Sequence, residues 1–139
     1  MGPTSMSSIG NLDTFGKGLN VMVFGATGGI GQALTQSLAA NQNTDSIFAI
    51  SRSSNKDRSQ KIISLQAEID NEDDIIRVAK TIQSTVSEIH IVLIATGILH
   101  VGDDIKPEKS WRALNSDTME TVFRVNPIGP SIVAKHFLP

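Results

Sequence analysis

The sequence predicts a doubly wound α/β fold on a parallel sheet, truncated after the helix that follows the fourth strand. Three observations carry this. An apolar run, Val21-Met-Val-Phe24, stops at the glycine-rich turn Gly25-Ala-Thr-Gly28-Gly29-Ile-Gly31, and helical spacing follows at once with Ile30, Leu34 and Leu38. Further on, nearly continuous apolar strands alternate with amphipathic helices, the pattern of a parallel sheet covered on both faces. The 139 residues, 40% of them hydrophobic, suffice for one domain with a real core.

Each glycine of the turn has a physical task. Gly25 lets the chain leave the strand sharply, Gly29 lets backbone approach a pyrophosphate with no Cβ in the way, and Gly31 lets the helix pack close to the sheet. The helix then offers free N–H groups and a partial positive charge to an anion. Gly25, Thr27, Gly28, Gly29, Ile30 and Gly31 are therefore candidate cofactor-binding residues of a Rossmann-type turn. The competing reading is a tight βα turn in a protein that binds no nucleotide.

Residues 1–19 are small or polar and lack periodicity, so they read as a flexible leader, with Met6 a candidate native start; the domain spans 20–139. Asn20–Phe24 is the first strand and Ile30–Ala40 the first helix. A polar connection, Asn41–Asp45, leads to a short strand at Ser46–Ile50 and a polar, basic loop at Ser51–Gln60. The third strand lies within Ile62–Ile69. Asp70–Asp74 opens a helix whose buried stripe is Ile75, Ala79, Ile82 and Val86, with Glu72, Asp73 and Asp74 complementing its dipole. Ile89–Ala95 is the fourth strand. Residues 97–116 form a loop with a helical turn near Trp111. Asp117 starts a last helix, with Glu120 as capping-box partner, an apolar face of Met119, Val122 and Phe123, and Pro127 kinking its axis.

Composition excludes several functions. The net charge of −2 argues against nucleic acid as a partner. Without cysteine there is no disulfide framework, thiol nucleophile or Cys-based metal site. His90, His100 and His136 show no ligand spacing and read as surface or core histidines. No apolar run reaches membrane-spanning length or resembles a signal peptide, so a cytoplasmic protein without membrane partners is expected.

Ser51-Arg52 follows the second strand, about 20 residues after Gly31, where a dinucleotide fold chooses its cofactor. An acid there would bind the ribose 2′-hydroxyl of NAD. This chain offers an arginine, a hydroxyl and further bases at Lys56, Arg58 and Lys61, against only Asp57. A guanidinium suits a 2′-phosphate through forked, charge-assisted hydrogen bonds, so NADP is expected over NAD. The alternative is a solvated basic loop, which is the reading for Lys56, Arg58 and Lys61.

Gly25-x-x-x-Gly29-x-Gly31 resembles the cofactor turn of the short-chain dehydrogenase/reductases, and the same residues also read Gly25-x-x-Gly28-x-x-Gly31, the spacing of the extended and atypical branches. Later residues favour the classical branch. Gly97-Ile-Leu-His resembles the end of the Asn-Asn-Ala-Gly motif, and Val125-Asn126-Pro-Ile-Gly129-Pro130 resembles the segment bearing the family's characteristic asparagine. Lys106-Pro-Glu-Lys-Ser-Trp and Ala134-Lys-His-Phe-Leu-Pro139 are similar to the C-factor-like subgroup. The resemblance implies that Asp70 hydrogen-bonds the adenine amino group, against the alternative of an N-cap. It implies that Ala95, Thr96 and Gly97 line the adenine-ribose side. It also implies that Asn126 holds a water in a proton relay, against the alternative of a kink-stabilising amide. Ile94 departs from the family's first motif asparagine, and Phe24 from the usual threonine before Gly25.

The family's chemistry is hydride transfer between nicotinamide and a carbonyl or alcohol carbon, with the proton moved by the tyrosine of a Tyr-x-x-x-Lys motif. This chain has no tyrosine. It reads as the cofactor-binding half of a carbonyl reductase or alcohol dehydrogenase, inactive by itself. Its expected partners are a small-molecule carbonyl or alcohol and further copies of itself in a homo-oligomer. The competing readings are a dinucleotide sensor of the same fold and a plain α/β interaction domain.

Overall fold

The computed structural model describes residues 12–53, 59–103 and 105–139. Four parallel strands, β1 (Leu19–Phe24), β2 (Thr44–Ser51), β3 (Ile62–Gln66) and β4 (Ile91–Ile94), form one sheet in the order β3-β2-β1-β4. Side chains alternate across it. Met22, Phe24, Phe48 and Ile50 face one way, onto Ile75, Val78 and Ile82 of helix α2 (Glu72–Thr85) and Val133 of helix α4 (Gly129–Phe137). Val21, Val23, Ile47 and Ala49 face the other way, into a second cluster with Leu38 of helix α1 (Gly29–Ala40). Two clusters on opposite faces are what uninterrupted apolar strands require, because Val21–Phe24 of β1 and Ile47–Ile50 of β2 are buried on both faces. The fold is the expected Rossmann-type α/β sheet.

Several elements differ from expectation. β1 begins at Leu19, and within the expected leader residues Leu12–Phe15 form a 3₁₀ turn with Leu12 buried and the Asp13 carboxylate accepting from the Asn43 amide at 2.7 Å. β2 is longer, reaching from Thr44 to Ser51. The buried positions of α1 are Gly31, Thr35 and Leu38, while Ile30 is 75% exposed. The cause is Gly31: its missing side chain lets that face press on the turn, and this rotates Ile30 outward. The stripe of α2 is Ile75, Val78, Ala79 and Ile82, with Val86 only half-buried as the C-cap. Asn71, not Asp70, caps α2, its side chain accepting from the Asp74 N–H. A capping residue must sit just outside the first turn, and Asp70 is one position too early.

Helix α3 (Ser116–Phe123) starts one residue before Asp117 and is capped by Asn115, which accepts from the N–H groups of Asp117 and Thr118. Glu120 makes no capping box; it pairs with Arg124 at 2.8 Å, four residues on. Between α3 and α4 the chain widens into a π-helical turn, Arg124–Ile128, around Pro127. The extra residue accommodates the missing proline N–H without breaking the helix. A 3₁₀ turn at Trp111–Ala113 stands where one was expected. Lys56 and Arg58 lie outside the described residues. Among the described residues no helix is long and apolar enough to cross a membrane, and no three His, Cys, Asp or Glu gather as metal ligands.

Candidate functional site

The carboxyl ends of the strands open on a cleft of about 490 Å³, within the range of small-molecule sites. The glycine turn forms one wall. Gly25 adopts φ +82, and a Cβ there would lie 2.8 Å from the Ala95 carbonyl oxygen. Its N–H donates to the Ile50 carbonyl at 2.8 Å, which ties the turn to the end of β2. A Cβ on Gly31 would meet the Gly25 oxygen at 1.9 Å, so this contact admits only glycine. Gly29 is the opposite case, with nothing within 4 Å of its missing Cβ. Gly28 occupies the N-cap of α1 and supplies no side-chain cap. The first N–H groups of α1 therefore lack a capping side chain, which is the state an anion site needs.

Gly25, Thr27, Gly28, Ser51, Arg52, Asp70, Ala95, Thr96 and Gly97 all line the cleft. Gly31 lies beneath it as a packing contact, while Gly29 and the backbone of Ile30 begin α1 beside it. At the β2 end the Ser51 hydroxyl donates to the Ser53 carbonyl, and the Gln66 amide donates to the Arg52 carbonyl at 2.8 Å. The Arg52 backbone is thus fixed, while its guanidinium has no hydrogen-bond or ion-pair partner among the described residues. Asp70, free of the capping role, faces the cleft and also stands near enough to Arg124 to raise that guanidinium's pKa, after the larger contribution of Glu120.

The opposite wall is built by the segment after β4 and by the helix kink. Asn126 grips Ile98 with both halves of its amide: Oδ1 accepts from the Ile98 N–H and Nδ2 donates to the Ile98 oxygen, each at 2.8 Å. Ile98 lines the cleft, so the π turn that carries Asn126 sets the shape of that wall. Next to it the Thr96 hydroxyl oxygen is buried with no hydrogen-bond partner among the described residues. Such an orphan costs about 1–3 kcal/mol.

A family described as short chain dehydrogenase matches residues 19–139. The chain belongs to the short-chain dehydrogenase family. No curated protein matches it. Among solved structures it is similar to an NADPH-bound carbonyl reductase from chicken fatty liver, at 21% identity and TM-score 0.74, over 88% of this chain and 48% of that one. It is similar to the aldohexose dehydrogenase of Thermoplasma acidophilum, at 18% identity and TM-score 0.73, over 88% of this chain and 44% of the other. A third likeness, 14% identical with TM-score 0.69, is to an NADH-dependent reductase complexed with NAD, over 86% of this chain and 50% of the other. The chain thus spans about half the length of these structures.

The two departures from the family pattern sit together. Phe24 and Ile94 are register partners across β1 and β4, and both pack in the cluster beneath α2 and α4. One apolar pair replaces the polar residues expected there. Sequence reasoning missed the cleft's remaining lining: Phe24, Ala67, Glu68, Ile69, Ile98, Val101, Thr121 and Val125. For Ala67 and Glu68 a signal existed. They directly follow β3, whose parallel neighbour β2 ends at Ser51. Two of the histidines are structural: His90 Nδ1 accepts from the Asn20 N–H at 3.0 Å, and His136 stands 2.9 Å from Glu72, while His100 is exposed.

Proposed function

We propose that this chain is the NADP-binding half of a short-chain oxidoreductase acting on a small carbonyl or alcohol. One observation carries the reading. An uncapped helix N-terminus and an open Gly29 adjoin the same cleft that bears, at the β2 end, an arginine whose guanidinium has no partner among the described residues. The family match supports it, and so does the fit of the site to a dinucleotide: room for a pyrophosphate at the turn and a cation for a 2′-phosphate. The bound dinucleotide supplies the hydride. The residues of this chain bind and orient it: backbone N–H groups of 29–31 at the pyrophosphate, Arg52 with Ser51 at the adenosine 2′ position, Asp70 at the adenine edge, and Ala95, Thr96 and Gly97 along the ribose. Asn126 is a positioning residue that acts through Ile98, and it holds the relay water of the full-length enzyme beside the kink.

Calorimetric titration of the protein with NADP and NAD tests this. NADP should bind more tightly, and Arg52→Ala should lose about 1.5–3 kcal/mol of NADP affinity, the scale of hydrogen bonds to a charged group. Tighter NAD binding, or an unchanged NADP affinity in the variant, overturns the cofactor assignment. A second reading, a dinucleotide sensor that does no chemistry, is favoured by the complete lack of tyrosine. Under both readings the 139-residue chain alone binds without turnover. Steady NADPH consumption with a ketone or aldehyde panel would require another proton donor, with the exposed His100 the first to test.

A further inference from the structure

Helix α3 buries none of its residues, although Met119, Val122 and Phe123 give it an apolar face. Met119, Phe123 and Ile128 line a groove of about 540 Å³, and Phe123 and Ile128 are 52% and 50% exposed. Thr121 and Val125 line the cofactor cleft instead, so the two hollows are separate surfaces that meet at Asp70. The groove is acidic at its rim. Asp70 and Glu120 line it, and Glu68 and Asp73 stand in the adjoining hollow at the start of α2. Arg124 lines it too, but is already bound to Glu120 at 2.8 Å.

The segment just before α3 has the opposite character. Trp111, the only tryptophan of the chain, is 75% exposed, and the Arg112 guanidinium lies over its ring, 5.0 Å from the centroid. The 3₁₀ turn Trp111–Ala113 and the Asn115 cap fix this pair beside the start of the helix. Lys106 is paired with Asp103 at 3.0 Å, whereas Lys109 and Arg112 have no carboxylate partner among the described residues, and Glu108 is the one acid of residues 106–112. An indole held in water leaves a large apolar area unburied, and Trp and Arg are the side chains that most often anchor interfaces.

We propose that the α3 groove receives the Trp111–Arg112 pair of a second copy of this chain. The ring fills the apolar floor formed by Met119, Phe123 and Ile128, and the guanidinium carried on it meets Asp70 and Glu120 at the rim. Both halves of the match lie on one molecule: a basic, aromatic knob and an acidic, apolar groove, separated in sequence only by residues 113–115. A knob and groove this close place a twofold axis beside the turn, so that each copy seats its Trp111 in the other. The turn holds the indole out of its own groove.

The single tryptophan makes the test direct. Indole emission and light-scattering mass are followed together on the 139-residue chain across a dilution series, at low and at high salt. Emission should move to shorter wavelength as mass rises, and high salt should weaken both changes. Glu120→Lys should raise the dissociation constant about tenfold or more and hold the emission at its exposed value, and Arg112→Glu in the same chain should restore part of the loss. Trp111→Ala, read by mass alone, should weaken association as strongly. Mass that rises while the indole stays exposed would assign assembly to another surface and overturn the proposal. So would a chain that is monomeric throughout, or a Glu120→Lys variant that behaves as the wild type. Circular dichroism checks that the variants are folded, since all three substituted side chains are exposed.

Discussion

Gly29 and Gly31 stand two residues apart in one turn and answer opposite demands. Nothing approaches the missing Cβ of Gly29, whereas that of Gly31 would lie 1.9 Å from a backbone oxygen. Gly29→Val should therefore fold close to normally and lose dinucleotide binding, because the branched side chain fills the phosphate's place. Gly31→Ala should lose about 3 kcal/mol or more of stability, since the obstruction is backbone that cannot rotate away. Melting curves and a nucleotide titration on both variants check the pair, and normal binding by Gly29→Val would remove the phosphate from this turn. The close packing at Gly31 and the open backbone at Gly29 were both legible in the glycine spacing. The orientation of Ile30 was not, because apolar periodicity cannot say which face a glycine has already claimed. The lining by Ile98 and Val125 escaped for another reason: it depends on the contact of the kinked helix with the segment after β4, which joins residues distant in the chain.

At the scale of elements, α2 is tied to its surroundings by carboxylates with depressed pKa values. Glu72, ordinarily near 4.5, is lowered first by Lys135 and then by His136 of α4. Asp74, ordinarily near 3.8, is lowered first by Arg77 and then by the Glu68 N–H. Groups depressed in the folded state stabilise it above their ordinary values, and that contribution is lost as pH falls through the folded values. Melting temperature should therefore drop on acidification below about pH 4.5. Glu72→Gln and Asp74→Asn should each flatten that limb while leaving neutral-pH stability nearly unchanged, as exposed pairs dictate. An acid limb identical in both variants would sink the assignment. The acidic start of α2 was legible as dipole complement, but its partners on α4 were not, since they sit more than sixty residues away. The kink at Pro127 was legible; its π form, and the grip of Asn126 on Ile98, came from tertiary contact with the segment after β4.

For the whole molecule, the decisive feature is the edge of the sheet. The doubly wound class was legible because β1 and β2 are apolar without alternation, and the two core clusters answer that pattern. β4 was equally apolar in sequence, yet Ile91–Ile94 is only half-buried, because β4 pairs with β1 on one side and with no strand among the described residues on the other. The segment is β-branched, uncharged and free of proline, the composition that templates pairing with another chain. Helix α3 and the neighbouring turns add exposed apolar surface at Trp111, Leu114, Phe123 and Ile128, which are 75%, 56%, 52% and 50% exposed. The 139-residue chain should therefore self-associate, with β4 as the contact, and melt over a broad range when diluted to the monomer. Size-exclusion chromatography with light scattering across a dilution series reads this directly, with mass falling as concentration falls. A monodisperse monomer with a sharp, concentration-independent melt would mean that the β4 edge is covered within the chain itself, and the open edge would have to be abandoned as the source of association.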